Sequence, residues 1–370
     1  LGDLTDRVIR KNKNLESKKP LTISGQLGLI DQTEYFSKSV SSKNLENYTL
    51  IKNGEFAYNK SYSNGYPLGA IKRLTRYDSG VLSSLYICFS IKSEMSKDFM
   101  EAYFDSTHWY REVSGIAVEG ARNHGLLNVS VNDFFTILIK YPSLEEQQKI
   151  GKFFSKLDRQ IELEEQKLEL LQQQKKGYMQ KIFTQELRFK DENGEEYPEW
   201  ENKFIKDIFI FENNRRKPIT SSLREKGLYP YYGATGIIDY VKDYLFNNEE
   251  RLLIGEDGAK WGQFETSSFI ANGQYWVNNH AHVVKSNDHN LFFMNYYLNF
   301  KELRAFVTGN APAKLTHANL CNINLKIPCL TEQDKVSALL KSIDNKMNNQ
   351  MNRIELLKER KKGLLQKMFI

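Results

Sequence analysis

The stretch Pro142-Ser143-Leu144-Glu145-Glu146-Gln147-Gln148-Lys149-Ile150 opens a segment that the chain uses twice. Its counterpart, Pro328-Cys329-Leu330-Thr331-Glu332-Gln333-Asp334-Lys335-Val336, begins 186 positions later. The register then holds without a gap, matching Asp158 to Asp344, Lys175 to Lys361 and Gln180-Lys181 to Gln366-Lys367. A repeat on this scale sets the architecture before any other feature is read. Each copy also has a period. Apolar residues fall at Ile150, Phe154, Leu157, Ile161, Leu168 and Leu171, continuing to Tyr178 and Ile182, in steps of four and three. The second copy gives Val336, Leu340, Ile343, Met347, Ile354 and Leu357, continuing to Leu364 and Met368. Glu164, Lys175, Gln350 and Lys361 interrupt the pattern at the same layers in both copies. A seven-residue seam of this length predicts a coiled coil rather than a globular helix with its wider apolar stripe. At 1.5 Å per residue, roughly forty residues make a rod of about 60 Å. Neither rod can bury its seam alone, so the two are expected to pair within the chain; packing of each on its own domain or on another chain is the alternative. The polar seam residues are expected to fix register at some cost in stability.

Around these rods the order is globular segment, long helix, linker, globular segment, long helix. The boundaries read as a first module at 1–139, a helix at 140–188, an acidic linker at 189–201, a second module at 202–327 and a last helix at 328–370. Both modules mix short β-type runs with turns and single helices, which makes the fold class α+β. Phe99–Tyr110 and Phe292–Phe306 read as those helices, and only the exit toward the long helix aligns between the modules. Leu1-Gly2-Asp3-Leu4 begins where the later phrase Ile205-Lys206-Asp207-Ile208 begins, yet Tyr197-Pro198-Glu199-Trp200 has no earlier counterpart. Residues before Leu1 are therefore expected, and the first module reads as truncated at its N-terminus.

The 370 residues suggest two or three domains, and 40% apolar content suffices for packed cores. No run approaches eighteen apolar residues and no signal peptide is visible, so a soluble, cytoplasmic protein without a membrane partner is expected. Cys88, Cys321 and Cys329 are too few and too irregularly spaced for a disulfide framework or a zinc site, and read as buried small hydrophobes. A net charge of +6 permits contact with phosphates without demanding it.

Catalytic signatures are missing. There is no Walker-type phosphate loop, no Gly-x-Gly-x-x-Gly after a strand, no Gly-x-Ser-x-Gly elbow and no His-Glu-x-x-His. The nearest nuclease-like cluster, Glu256, Asp257 and Lys260, lacks a further acidic ligand at the right spacing. His280 and His282 alternate along an expected strand and share a face, but without a third ligand they read as hydrogen-bonding or packing residues; no metal site is assigned.

What remains are turns rich in Lys, Arg, Asn, Ser and Tyr. In the first module these hold Lys60, Ser61, Tyr62 and Asn64, then Lys72, Arg73 and Arg76, then Arg122 and Asn123. In the second they hold Arg215 and Arg216, Tyr232 and Thr235, Lys260 and Trp261, Asn278, Asn279 and His280, and Lys314 with Thr316. Arg and Lys can pair with guanine edges and Asn with adenine, while hydroxyls position phosphates. Singly, each cluster reads more readily as a solvated loop. Their recurrence on two modules held by a rigid rod points to double-stranded DNA.

With these residues in view, the whole chain resembles the specificity subunit of Type I restriction-modification systems. The resemblance rests on Pro142–Ile150 and Pro328–Val336, each opening a long helix. It rests also on Tyr232-Gly233-Ala234-Thr235-Gly236, Gly255-Glu256-Asp257-Gly258-Ala259 and Asn278-Asn279-His280-Ala281-His282 in the second module. In the first, Tyr58-Asn59-Lys60-Ser61-Tyr62 is similar to a second subtype of the same domain. It implies two mixed α/β target recognition domains separated by two long antiparallel coiled-coil helices with a pseudo-two-fold internal repeat. Each domain would read one half of a bipartite site, and the helices would set the spacing. It further implies a non-catalytic chain without a cofactor of its own. Two methyltransferase subunits would dock on the helices and use S-adenosylmethionine to methylate adenine N6, and restriction subunits would use ATP and Mg to translocate and cleave. A coiled-coil scaffold joining two protein-binding modules and a metal-dependent nuclease centred on Glu256, Asp257 and Lys260 are the competing readings.

Overall fold

A computed structural model of the chain describes residues 1–25, 27–36, 44–61, 65–117, 127–309 and 312–369. These form two compact units, residues 1–165 with 352–370 and residues 166–351. The strands that matter for the site are β1 (Thr5–Arg7), β2 (Phe56–Asn59), β3 (Ala70–Arg73) and β4 (Tyr86–Ile91) in the first unit. In the second they are β5 (Ile210–Phe211), β6 (Lys226–Tyr232), β7 (Ile237–Val241), β8 (Arg251–Gly255), β9 (Ser268–Ala271), β10 (Trp276–Val277) and β11 (Ala281–Lys285). The helices are α1 (Lys97–Asp105), α2 (Leu144–Phe183), α3 (Leu291–Phe300) and α4 (Leu330–Met368).

The first unit carries the antiparallel sheet β1-β4-β2-β3 and the second carries β5-β11-β8-β9 in the same spatial order. One helix packs on each, α1 on the first and α3 on the second. Ser96 caps α1 by accepting from the Phe99 amide, and Asn290 caps α3 by accepting from those of Phe292 and Phe293. A carboxamide or hydroxyl at this position satisfies amides the helix cannot pair internally. Both helices are shorter than the apolar pattern suggests. The stretch after α1 breaks at Ser106, whose hydroxyl donates to the Tyr103 carbonyl, and α3 stops where Lys301 turns extended.

Each long helix is one unbroken element that contributes its two ends to different units. In the first unit Phe154 stacks near Phe369, Asp158 pairs with Lys361, and Glu164 with Arg353. Rising numbers on α2 meet falling numbers on α4, so the helices run antiparallel there. In the second unit Lys175 pairs with Asp344 at 2.6 Å in the same sense. The ion pairs Asp158 with Lys361 and Asp344 with Lys175 are the same two positions of the repeat with the helices exchanged. Three of the four polar seam residues, Glu164, Lys175 and Lys361, thus join the two helices through ion pairs, which suits a role in register.

Phe154, Leu157, Ile161, Val336, Leu340, Ile343 and Ile354 are buried, whereas Ile150, Leu168, Leu171, Met347 and Leu357 are only partly so. Two helices cover a seam from one side, and layers without a module behind them stay half open. Near the C-terminal ends the seam departs from its expected course. Ile182 is buried as expected, but Met179 and Phe183, with Leu365 and Phe369, are buried too, while Tyr178 and Leu364 are partly open and Met368 is 38% exposed. A helix of 3.6 residues per turn drifts about 20° per heptad from a 3.5 repeat. Each helix end also meets a module as well as its partner helix, and the buried face widens accordingly. Phe183 stacks on Tyr297 at 4.7 Å, and Phe369 lies against Phe99 and Tyr103. Each such aromatic stabilises the fold by roughly 1.5–3 kcal/mol through burial.

Cys88 is buried, but Cys321 and Cys329 are partly exposed, at the end of a short helix and just before α4, so the reading of all three as core residues holds for one. Among the described residues no helix is long and apolar enough to cross a membrane.

Candidate nucleic-acid interface

Five of the polar segments singled out in the second module converge at one end of its sheets, where β8 runs out and β11 begins. Backbone bonds tie them together. The Lys217 amide donates to the Val277 carbonyl, Asn278 to Tyr232, Glu256 to His280, and Leu315 to Glu256, all at 2.8–3.0 Å. The loop after β6 is closed by the Gly233 amide donating to the Gly236 carbonyl, with Gly236 at φ 134°, a region closed to side chains. Gly255 lets this loop approach: a Cβ there would lie 2.3 Å from the Ala259 Cβ and 3.0 Å from the Ala234 carbonyl oxygen.

Within the cluster the carboxylates are enclosed by cations. Arg216 donates to Glu256 at 2.6 Å and to the Ala281 carbonyl at 2.9 Å, while Asp257 takes the Lys314 amine at 3.2 Å and the His280 ring. Among the described residues no three His, Cys, Asp or Glu side chains are grouped to hold a metal. Glu256 and Asp257 thus serve the loops' internal geometry, and Lys260 stands exposed rather than over them. His280 and His282 also part ways. His280 is 51% exposed beside Asp257, whereas His282 is buried, its Nε2 donating to the Leu315 carbonyl and its Nδ1 accepting from Asn213. The Asn213 orientation is fixed because its Oδ1 accepts from the Val283 amide.

Burial lowers the His282 pKa, outweighing the Leu315 bond and the Glu256 charge that favour protonation; Arg216 and His317 add to the lowering. Neutral in the fold and free to protonate near pH 6.5 when unfolded, His282 contributes stability that is complete above about pH 6.5 and lost as the pH falls toward its depressed folded value. His289, half-buried and near Lys203, acts in the same direction. The thermal midpoint should therefore drop as the pH is lowered below about 6.5, and His282→Asn should flatten that slope. An unchanged slope in the variant would remove His282 as its source.

The remaining assignments divide by exposure. Arg215 is held by Glu249 at 2.7 Å and lies over the Phe246 ring. Trp261 is buried with its indole donating to the Gly255 carbonyl, Asn278 is buried with its Oδ1 accepting from the His280 amide, and Thr316 caps the short helix His317–Cys321. Tyr232 is half-buried, packed near Phe269 and Tyr275, and burial raises its pKa. Thr235, Lys260, Asn279 and His280 stay exposed, and Lys314 keeps 42% of its side chain open. Lys217 is exposed beside them; the two arginines before it carried the sequence signal, yet both are committed to carboxylates.

In the first module Tyr62, Asn64, Arg122 and Asn123 lie outside the described residues. Lys72 and Arg73 do not project from the fold as loop cations. Lys72 donates to Asp105 at 2.7 Å, and Arg73 pairs with Asp98 at 2.6 Å and Glu101 at 3.2 Å. Their strand lies under α1, whose acidic face claims both, so they leave the candidate interface. Lys60 is half-buried with its amine 3.4 Å from the Val129 carbonyl, Ser61 donates its amide to the Asn59 side chain, and Arg76 is exposed.

The family model for the Type I restriction modification DNA specificity domain matches residues 48–173 and 197–359. A Haemophilus influenzae protein named as a type I restriction enzyme specificity subunit, S.HindORF215P, is 40% identical over 147 residues, which cover 39% of this chain and 37% of that protein. The specificity subunit of the MjaVIII type I restriction enzyme from Methanocaldococcus jannaschii is 23% identical over 313 residues, 77% of this chain and 69% of that one. The chain thus spans little more than a third of the Haemophilus relative. Among solved structures, the S subunit of a Type-I restriction-modification system from M. genitalium aligns with all of this chain and 94% of its own, with a TM-score of 0.61 at 16% identity, a likeness of fold.

Proposed function

The chain belongs to the Type I restriction modification DNA specificity domain family, and on that premise we propose that its two modules each read one half of a bipartite DNA site. The observation that carries this reading is that one sheet order and one kind of helix seat bear unlike loops in the two modules. A common scaffold with divergent loops suits a protein that must read two different sequences. The convergent surface of the second module, with Lys217, Thr235, Lys260, Asn279, His280 and Lys314, offers cations for phosphates and an amide for a base edge. Lys60, Ser61 and Arg76 are the corresponding candidates in the first. The long helices would set the distance between half-sites, one helical turn of DNA being about 34 Å.

In this reading the chain supplies recognition and its partners supply chemistry: S-adenosylmethionine would be bound by methyltransferase subunits, and ATP and Mg by restriction subunits. Leu170 and Leu356, equivalent positions of the repeat, are 64% and 65% exposed and stand outside the seam. An exposed leucine at the same place in both copies suits two like partners docking in the same way. Leu170→Lys and Leu356→Lys should abolish copurification of the methyltransferase while leaving the thermal midpoint unchanged; retained copurification would place docking elsewhere.

Mapping methylated adenines in a host given this chain with its methyltransferase partner tests the function, and two constant half-sites around a fixed unspecified spacer are expected. An unpatterned map would overturn the reading. Lys260→Glu should weaken binding of the assembled complex by about tenfold at low salt and flatten its dependence on salt. Binding that is unchanged across salt would remove Lys260 from the interface.

A further inference from the structure

We propose that Gln147 with Lys361 in the first unit, and Gln333 with Lys175 in the second, are positioning residues that fix each module's pose and thereby the half-site spacing the chain accepts. The inference rests on the proposed function and deepens it. In the first unit the Gln147 Oε1 accepts from the Ser96 amide at 3.1 Å, at the start of α1, while its Nε2 donates to the Pro142 carbonyl and fixes the amide's orientation. Nine residues on, at the end of α1, Asp105 takes Lys361 at 2.7 Å, and Lys361 also pairs with Asp158 of α2 at 2.7 Å. The second unit repeats the device. Gln333 accepts from the Asn290 amide at 2.9 Å and donates to the Pro328 carbonyl at 2.8 Å. Asp344, paired with Lys175, accepts from the Tyr296 hydroxyl at 2.6 Å, and the Lys175 amine lies 5.0 Å from the Tyr296 ring centroid.

The long-helix members of these pins recur at one repeat interval, whereas the module members differ: Ser96 against Asn290, Asp105 against Tyr296. Stability alone does not account for them. Charges taken out of water cost more than well-packed apolar residues of the same size, so a buried ionic cluster is weak support for a fold; what it offers is direction. Burial opposes the charge on Lys361, yet Asp105 and Asp158 hold its pKa above the usual lysine range. Two pins, one at the start of the module helix and one farther along it, fix both translation and rotation. With one pin lost, the helix pivots on the other. A module of this size has a radius of gyration of about 14 Å, so a pivot of about 14° is what would displace a reading loop by one base-pair step of about 3.4 Å.

The test uses the full chain assembled with its methyltransferase partner, with methylated adenines mapped across a host genome. The wild type should methylate one spacer length. Lys361→Met should keep both half-site sequences but accept spacers one base pair longer or shorter, lowering spacer discrimination by about tenfold, the scale of one mismatched position. Lys361→Arg should restore it, and Lys175→Met should relax spacing in the same way through the other module. Reduced methylation confined to the original spacer would show a merely structural residue and overturn the proposal. Should Lys361→Met fail to fold, Asp105→Asn and Lys175→Met are judged by the same criterion. A wild type without a bipartite pattern would instead overturn the proposed function.

Discussion

Glu332→Ala should lower stability by about 3–5 kcal/mol, the cost of stripping one partner from a buried ion pair. Glu332 is fully buried at the first turn of α4. Its Oε1 accepts from Arg188 at 3.2 Å, and its Oε2 accepts from Arg188 at 2.8 Å and from the Trp200 indole at 3.2 Å. A carboxylate is also favoured at a helix N-terminus. Removing it leaves Arg188 with only the Tyr197 and Pro198 carbonyls and a distant, exposed Glu199. The same substitution at Glu199, which faces Arg188 from 3.7 Å away but is exposed, should stay within about 0.5 kcal/mol. Thermal unfolding of the two variants side by side decides the matter. Equal losses would mean that burial of Glu332 adds nothing to what an exposed partner of Arg188 contributes.

Gly255→Ala should cost about 1–3 kcal/mol through overpacking and, with it, recognition of the second half-site. The new Cβ would meet the Ala259 Cβ at 2.3 Å and the Ala234 carbonyl at 3.0 Å, both parts of the loops that carry Thr235 and Lys260. Neither neighbour is the free end of a long side chain, so relief must come from the backbone. The expected adenine-methylation map keeps the first half-site and degenerates at the second. A variant with an unaltered map would show that the close approach of these loops is not what presents Thr235 and Lys260.

The two predictions fall on opposite sides of what a linear reading reaches. Glu332 reads in the sequence as one more acidic residue in the first turn of a helix. What sets it apart is Arg188 and Trp200, which the chain brings to it from outside that helix. Gly255, by contrast, is flagged in the sequence by the run Gly255-Glu256-Asp257-Gly258-Ala259, although its neighbour Ala234 is not. The cations show the same limit. Arg73 and Lys260 look alike as basic residues near turns, yet Arg73 lies beneath the acidic face of α1 and Lys260 does not. Which positive charges are spent inside the fold depends on carboxylates tens of residues away, such as Asp98, Glu101 and Glu249.

The sequence by itself determined the doubled helix, its polar layers and the α+β alternation, because heptad spacing and repetition are local and periodic and survive without any knowledge of neighbours. It also located the second module's polar loops. Only the tertiary structure decided that both modules share one sheet order, that the buried face takes in neighbouring residues where each helix end meets a module, and that Lys72, Arg73, Arg215 and Arg216 are internal partners. Those outcomes follow from which side chains meet after the chain has closed on itself, and burial and ion pairing act between residues that no linear pattern brings together.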